Sequence, residues 1–92
     1  MLKIDLSKHA VRFLKRVPPK HRRQIAGKIA QLRFNPRPPD AKPMKSYPYL
    51  RADIGEYRII YGIEGNTLKV YLVGKRNDAE VYRRLKRLDS TA

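Results

Sequence analysis

The chain has 92 residues, 22 of them lysine or arginine and 8 aspartate or glutamate, so its formal net charge is +14; this length predicts a single domain over residues 1–92. With no cysteine and two histidines, the composition excludes disulfides and thiolate metal sites and predicts no metal or cofactor, while the lack of a long apolar run or signal peptide predicts a soluble, cytoplasmic protein. The charge favours a polyanionic partner (nucleic acid, an acidic protein or an anionic membrane surface) over solubility alone, because surfaces that serve solubility usually mix both signs.

The first third of the chain predicts a strand and two helices. Residues 2–6 alternate apolar and charged side chains, which is typical of a short strand. Ser7 is a suitable N-cap for a helix over residues 8–16. Pro18-Pro19 ends that helix and opens a second one, which ends at Asn35-Pro36. Apolar residues recur at helical spacing in both helices: Ala10, Phe13, Leu14 and Val17 in the first, Ile25, Ile29 and Leu32 in the second.

The middle of the chain changes from a connector to strands. Residues 35–48 hold five of the seven prolines and predict a rigid but irregular connector. Residues 50–54 alternate in polarity, residues 56–63 are apolar on both faces as in a central strand, and residues 67–74 form a third segment. Gly55-Glu56 fits a two-residue hairpin turn. We expect one face of the third segment to carry Leu68, Val70 and Leu72.

The chain ends in a predicted helix. Asn77 is a good N-cap, and Glu80 follows at the spacing of a capping box. The buried stripe of this helix is expected to contain Val81, Leu85 and Leu88. The order β-α-α-β-β-β-α predicts an α+β fold, in which an antiparallel sheet carries two N-terminal helices and a short C-terminal helix.

The predicted hairpin brings charged residues together. If Gly55-Glu56 is the turn, Asp53 lies opposite Arg58, and Arg51 shares their face of the sheet. Lys69 and Tyr71 extend this patch if they lie on the same face. As a solvated surface, the patch contains only a cross-strand ion pair worth about 0.2–1 kcal/mol.

A second candidate site lies where the last strand ends. Residues 74–77 place Lys75 and Arg76 at a strand-to-helix junction, which favours binding of an anion. Tyr82, inside the following helix, is suited either to core packing or to stacking on a base.

The segments GEYRIIY and KVYLVGKRNDAEVYRRL resemble the RelE/ParE superfamily of toxins from toxin–antitoxin pairs, and GKR-x4-VY resembles its RelE branch. The resemblance covers nearly the whole chain. It implies a small endoribonuclease, an mRNA interferase, that enters the ribosomal A site and cuts mRNA during translation. It also implies an acidic, RelB-like antitoxin that neutralises the toxin in a hetero-oligomer.

The resemblance assigns roles to individual residues. Arg58 matches the arginine that holds the scissile phosphate, Arg76 the arginine at the leaving group, and Tyr82 the tyrosine that orients the mRNA. The two lysines that well-known relatives carry on the preceding strand fall on Arg51 and Asp53, which leaves the general base unassigned between Asp53 as proton acceptor and Arg51 acting by charge. We expect ribosomal and messenger RNA phosphates to contact Lys42, Lys45, Lys75, Arg83 and Arg87.

Two alternatives stay open. A ParE-like toxin of the same fold inhibits DNA gyrase without cutting RNA, and the missing strand lysines allow this interpretation, whereas the Arg76 and Tyr82 pair speaks against it. A catalytically degenerate module would retain only antitoxin or rRNA binding. Expression without growth arrest would favour the second alternative.

Overall fold

The computed structural model describes residues 1–44, 47–77 and 83–86. Its elements, in chain order, are β1 (Lys3–Leu6), α1 (Lys8–Arg16), α2 (Pro19–Phe34), β2 (Lys42–Pro43), β3 (Leu50–Ile54), β4 (Tyr57–Glu64) and β5 (Thr67–Lys75). Residues 83–86 are helical. The predicted α+β order is therefore confirmed. In the described part of the chain, no helix has both the length and the apolar character needed to cross a membrane.

The two front helices begin and end at the predicted residues. Ser7 caps α1, because its Oγ accepts a hydrogen bond from the backbone N–H of Ala10 at 3.1 Å and donates one to the carbonyl of Tyr71 at 2.6 Å. Pro19 stands in the first turn of α2, where its missing N–H costs no helical hydrogen bond. Arg22 donates from Nε to the carbonyl of Leu14 at 2.7 Å, which ties the start of α2 to the end of α1.

The five strands form one mixed sheet in the order β1-β5-β4-β3-β2. The pairs β3–β4 and β4–β5 are antiparallel as predicted, but β1 pairs with β5 in parallel, with Lys3 opposite Thr67. The helices α1 and α2 connect β1, at one edge of the sheet, to β2 at the other edge. The meander from β2 to β5 then leads back to β1, and β5 runs in the same direction as β1. The prediction of a wholly antiparallel sheet was wrong, since alternation identifies a strand but not its neighbour.

The proline-rich connector contains a short edge strand. Lys42 lies opposite Arg51 and Pro43 opposite Leu50 in an antiparallel pair. Proline is tolerated here because an edge strand needs no donor on its outer side. The prediction of an irregular connector was therefore wrong at these two residues.

A bulge divides β5. Ile60 pairs with Leu72 and the next residue, Tyr61, pairs with Val70, so that Tyr71 is an extra residue on β5. The bulge reverses the alternation: Leu72 packs with Ile60 on one face, and Val73 joins Val70 on the face that carries the helices. The prediction that Leu72 shares a face with Val70 was wrong for this reason.

The sheet separates two cores. The larger lies under the helices, where buried side chains of α1 and α2 pack on β4 and β5: Ala10, Ile25, Ile29, Leu32, Ile59, Tyr61, Leu68 and Val70. The smaller lies on the opposite face, where Leu85 is fully buried against Ile60 and Leu72, as predicted for the last helix. The predicted capping box and the rest of that stripe, at Glu80, Val81 and Leu88, lie outside the described residues.

Candidate functional site

The tight turn between β3 and β4 sets the geometry of the site. Ile54 pairs with Tyr57, which leaves Gly55-Glu56 as a two-residue loop. Gly55 has a φ of 56°, while Glu56 does not have a positive φ; this combination is typical of a type II′ turn with glycine in its first central position. The predicted hairpin register is confirmed.

Asp53 and Arg58 form a two-point ion pair across this hairpin. Arg58 donates from Nε to Oδ1 of Asp53 at 2.8 Å and from Nη2 to Oδ2 at 3.3 Å. The Arg58 side chain is 12% exposed and that of Asp53 is 34% exposed. Because the guanidinium is planar, two hydrogen bonds to one carboxylate hold it in a single orientation.

Two further arginines act on the same carboxylate. The hydrogen bond from Arg58 is the main cause that lowers the pKa of Asp53 below its ordinary value; burial opposes the shift, and the charges of Arg58, Arg76 and Arg51 add to it. Asp53 is therefore a carboxylate at neutral pH. The electrostatics place one negative charge among three guanidinium groups.

Arg76 is attached to the hairpin turn by its own backbone. Its N–H donates to the carbonyl of Glu56 at 2.9 Å, and its Nη1 donates to the carbonyl of Gly55 at 3.4 Å. The residue is exposed. The turn thus holds the cation at the end of β5 beside the Asp53–Arg58 pair.

The basic patch continues towards the edge of the sheet. Lys42 lies directly opposite Arg51, and such cross-strand pairs share a face. Tyr71 also lies on this face, since its ring is 4.6 Å from that of Tyr49. Lys69 lies opposite Gly62 and so on this face too, but its charge is paired with Glu64 at 3.0 Å and Asp5 at 3.7 Å.

The other residues expected to bind RNA are more scattered. Lys75 is exposed and lies opposite Tyr57, which faces the helices, so it points away from Arg58. Arg83 is exposed in the last helix. The remaining three residues proposed from the sequence, Lys45, Tyr82 and Arg87, lie outside the described residues.

A pocket that the sequence did not indicate lies between the α1–α2 junction and the end of β5. It has a volume of about 550 Å³. His21 Nδ1 is 2.6 Å from the hydroxyl of Tyr57 in its wall, and Phe13 lies beside the same tyrosine. These three aromatic residues are far apart in the chain, so no local pattern connects them.

The arrangement on the sheet face is suited to binding a phosphate. Arginine offers several N–H donors and a charge that is not lost at neutral pH. Asp53 is less suited to accept a proton, since the same arginines stabilise its charged form. Among the described residues, no group of three His, Asp or Glu side chains is placed to hold a metal ion.

Comparison with known proteins gives a family and a fold. Residues 4–80 match the family model described as the ParE toxin of type II toxin–antitoxin systems. No curated protein matches the chain in sequence.

Several solved structures have the same fold. The isolated Escherichia coli RelE toxin superposes with a TM-score of 0.73 at 22% identity, over 96% of this chain and 99% of that one. A chain of the RelBE2 toxin–antitoxin complex of Mycobacterium tuberculosis gives 0.71 at 22% identity, over 82% and 98%. A chain of the RelB–RelE antitoxin–toxin complex of Methanococcus jannaschii gives 0.66 at 27% identity, over 91% and 98%.

Proposed function

The chain belongs to the family of ParE toxins of type II toxin–antitoxin systems, and on that premise we propose that it is a ribosome-dependent endoribonuclease that cuts mRNA in the ribosomal A site. One observation carries the proposal. Arg58 is hydrogen-bonded to Asp53, Arg51 lies on the same face of the sheet, and the charges of both, with that of Arg76, lower the pKa of Asp53, in a fold shared with RelE. Such a cluster of cations is suited to stabilise the negative charge that builds on a phosphate during cleavage.

The proposed reaction is attack of the ribose 2′-OH on the adjacent phosphorus. The bond from phosphorus to the 5′-oxygen breaks, and the products are a 2′,3′-cyclic phosphate and a 5′-hydroxyl. Negative charge builds on the phosphate oxygens in the transition state. Arg58 is held in place by Asp53 before substrate arrives, so its donors need no reorganisation when that charge develops.

Arg76 is proposed to stabilise the negative charge on the leaving 5′-oxygen, which becomes the 5′-hydroxyl by taking a proton from Arg76 or from water. Its backbone and one of its side-chain nitrogens are held by the turn, and its exposed side chain can reach an RNA strand on the sheet face. Tyr82 belongs to the same GKR-x4-VY motif as Arg76 and is proposed to stack on an mRNA base.

Removal of the proton from the 2′-OH requires a base, and the residues of this site do not provide a strong one. The lowered pKa of Asp53 favours its role as the residue that positions Arg58, and Arg51 then acts through its charge. We propose that the ribosome or the RNA itself accepts the proton. Because a ribosome also orients the 2′-OH for attack, it can supply much of the rate.

The remaining cations and the antitoxin complete the proposal. Ribosomal and messenger RNA phosphates are proposed to contact Lys42, Lys45, Lys75, Arg83 and Arg87. The toxin acts as one domain in the cytoplasm, where its substrate is, and is neutralised in a hetero-oligomer by a RelB-like antitoxin. Charge complementarity requires that antitoxin to be acidic where it covers the sheet face.

Cleavage on programmed ribosomes tests the proposal. The wild type should cut the mRNA in the A site, and Arg76→Ala should cut it about 100-fold more slowly, as for loss of one transition-state donor. Arg12→Ala, which removes an exposed arginine from α1, is the matched control and should retain activity. Intact mRNA with the wild type would refute the proposed reaction.

A second function is favoured by a specific observation. The matching family model is that of ParE toxins, and Arg51 and Asp53 replace the strand lysines of the RelE branch. A ParE-like inhibitor would block supercoiling by DNA gyrase and leave mRNA intact, so a supercoiling assay separates the two functions. Expression that is harmless to growth would instead indicate a binding module that has lost its activity.

A further inference from the structure

We propose that the pocket between the α1–α2 junction and the end of β5 binds one unstacked RNA nucleotide, with the base against its aromatic wall and the phosphate on its basic rim. The inference rests on the proposed function only in taking RNA as the natural ligand. The pocket does not include the Asp53–Arg58 pair, and residues of the larger core, Val17, Tyr57 and Val73, form part of its wall.

The shape and lining of the pocket suit a nucleobase. A volume of about 550 Å³ lies within the range of small-ligand sites, which are mostly apolar with a few polar groups. Phe13 and His21 both meet the ring of Tyr57 edge-on, at centroid distances of 5.8 and 5.3 Å. Tyr57 is 4% exposed, whereas Phe13 and His21 are half-buried, so these two rings are the ones on which an unstacked RNA base can stack.

His21 supplies a polar group of fixed orientation. Its Nδ1 is engaged by the hydroxyl of Tyr57 at 2.6 Å, so the imidazole cannot turn without losing that hydrogen bond. Nε2 is then the ring nitrogen available to a ligand. An aromatic ring with one oriented hydrogen-bonding atom is suited to form a hydrogen bond with the edge of a nucleobase.

The rim carries the charge that a phosphate requires. Arg16 and Lys75 line the pocket and are exposed, and Arg84 lines it from the last helix. The α1–α2 junction adds further cations: residues 15–23 contain five lysines or arginines and no acidic residue. An anionic ligand is therefore favoured at the mouth of a pocket whose wall is aromatic.

The rim also contains features that can distinguish bases. Glu56 is the one acidic residue among the described lining residues, and its carboxylate can accept a hydrogen bond from the exocyclic amine of adenine, cytosine or guanine. Uracil has no such amine.

The pocket and Arg58 lie on opposite faces of the sheet, and the hairpin turn connects them. Glu56 lines the pocket, and its carbonyl accepts the backbone hydrogen bond of Arg76. Lys75 lies in the rim, one residue before Arg76. An RNA strand that passes round this turn would therefore contact both the pocket and the face that carries Arg58, and the pocket would contribute to selecting the sequence that is cut.

Titration of the ¹⁵N-labelled full chain with adenosine 5′-monophosphate (AMP), followed by NMR, tests the inference. We expect saturable shifts of pocket amides, and binding of ribose 5-phosphate weaker by about tenfold, the size expected for one stacked base. Uridine 5′-monophosphate should bind more weakly than AMP. Arg16→Gln should weaken AMP binding, and Arg12→Gln, one turn away on α1, is the matched control and should not. His21→Phe should weaken AMP binding while the spectrum stays that of a folded chain.

Four results would overturn the inference. Equal binding of ribose 5-phosphate and AMP would show that only the phosphate is recognised. Equal AMP binding by Arg16→Gln and the wild type would show that the basic rim does not bind the phosphate. Tighter binding of a hexaglutamate peptide than of AMP to the same amides would assign the pocket to an acidic protein. Cleavage on ribosomes is measured separately: cutting without AMP binding overturns this inference alone, and AMP binding without cutting overturns the proposed function alone.

Discussion

Asp53 holds Arg58 through two nitrogens of one guanidinium, Nε at 2.8 Å and Nη2 at 3.3 Å. Lysine carries the same charge but cannot form this planar fork. We predict that Arg58→Lys lowers mRNA cleavage on programmed ribosomes about 100-fold and leaves the chain folded by circular dichroism. Wild-type cleavage by this variant would show that the charge of Arg58 is sufficient.

Loss of the Asp53 carboxylate should destabilise the fold in a pH-dependent way. The pKa of Asp53 is lowered in the folded chain from its ordinary value of 3.8, chiefly by the hydrogen bond from Arg58. Its contribution to the free energy of unfolding is therefore fully present above pH 3.8 and is lost as the pH falls through the lower, folded value. Asp53→Asn should cost about 1–2 kcal/mol at pH 7, measured by urea unfolding, and the difference from the wild type should shrink below pH 3.8.

A second carboxylate provides the control for that experiment. Asp40 accepts a hydrogen bond from Lys28 at 2.7 Å but is 50% exposed, and solvent screens such pairs. Asp40→Asn should therefore change the free energy of unfolding less than Asp53→Asn at pH 7. A cost for Asp53→Asn that did not vary with pH would contradict the assigned cause.

Gly55 and Gly65, each in a turn, allow the cost of a left-handed backbone to be distinguished from the cost of crowding by a neighbouring side chain. Gly55 and Gly65 have similar φ values of 56° and 59°, but a Cβ at Gly55 would lie 3.0 Å from Oε1 of Gln24, whereas one at Gly65 would meet nothing within 4 Å. Gly65→Ala should cost about 1–2 kcal/mol from its left-handed backbone alone. Gly55→Ala should cost more, and adding Gln24→Ala should reduce that excess in urea unfolding. An equal cost for the two single variants would exclude crowding by Gln24.

Ser7 should contribute more than an ordinary helix cap. Its hydroxyl accepts from the N–H of Ala10 and donates to the carbonyl of Tyr71, so one side chain joins α1 to β5. We predict that Ser7→Ala lowers the free energy of unfolding by about 1–2 kcal/mol. Ser7→Thr retains the hydroxyl and should lose less. Equal losses for alanine and threonine would show that the hydroxyl contributes nothing.

Tyr61 should make the fold sensitive to alkali. Its hydroxyl donates to the carbonyl of Pro36 at 2.6 Å, and burial raises its pKa from 10.0 to about 12. The folded chain keeps this proton when the unfolded chain has lost it, so stability should fall between pH 10 and pH 12. Tyr61→Phe should cost about 1 kcal/mol at neutral pH and should remove part of that alkaline decrease. A decrease of the same size in the variant would assign it to another group.

Features set by neighbouring residues were predictable from the sequence. Ser7 at the start of α1, Pro19 at the start of α2 and the Gly55-Glu56 turn each act over a few residues, and the turn length alone fixes Asp53 opposite Arg58. For that reason Arg51, Asp53 and Arg58 could be placed on one face from the sequence, whereas the contact of Arg76 with the turn could not. Its chemical roles came from a resemblance and remain a proposal.

Features set by distant residues were not predictable. The bulge at Tyr71 depends on how β5 packs between its neighbours, and it moved Leu72 to the opposite face. The parallel pairing of β1 with β5 joins residues far apart in the chain, such as Lys3 and Thr67. The pocket needs His21 and Tyr57 side by side, and 36 residues separate them. Each depends on tertiary packing that periodicity does not encode.

Because the bulge turns β5 from one core to the other, a single strand supports two apolar clusters of unequal size. Residues 83–86 are anchored through Leu85 to the smaller cluster with Ile60 and Leu72, whereas α2 is anchored in the larger one. The two clusters can therefore open as separate cooperative units. Hydrogen exchange should show the amides of residues 83–86 exchanging by local opening at a lower free energy than those around Ile29, which exchange only when the whole chain unfolds.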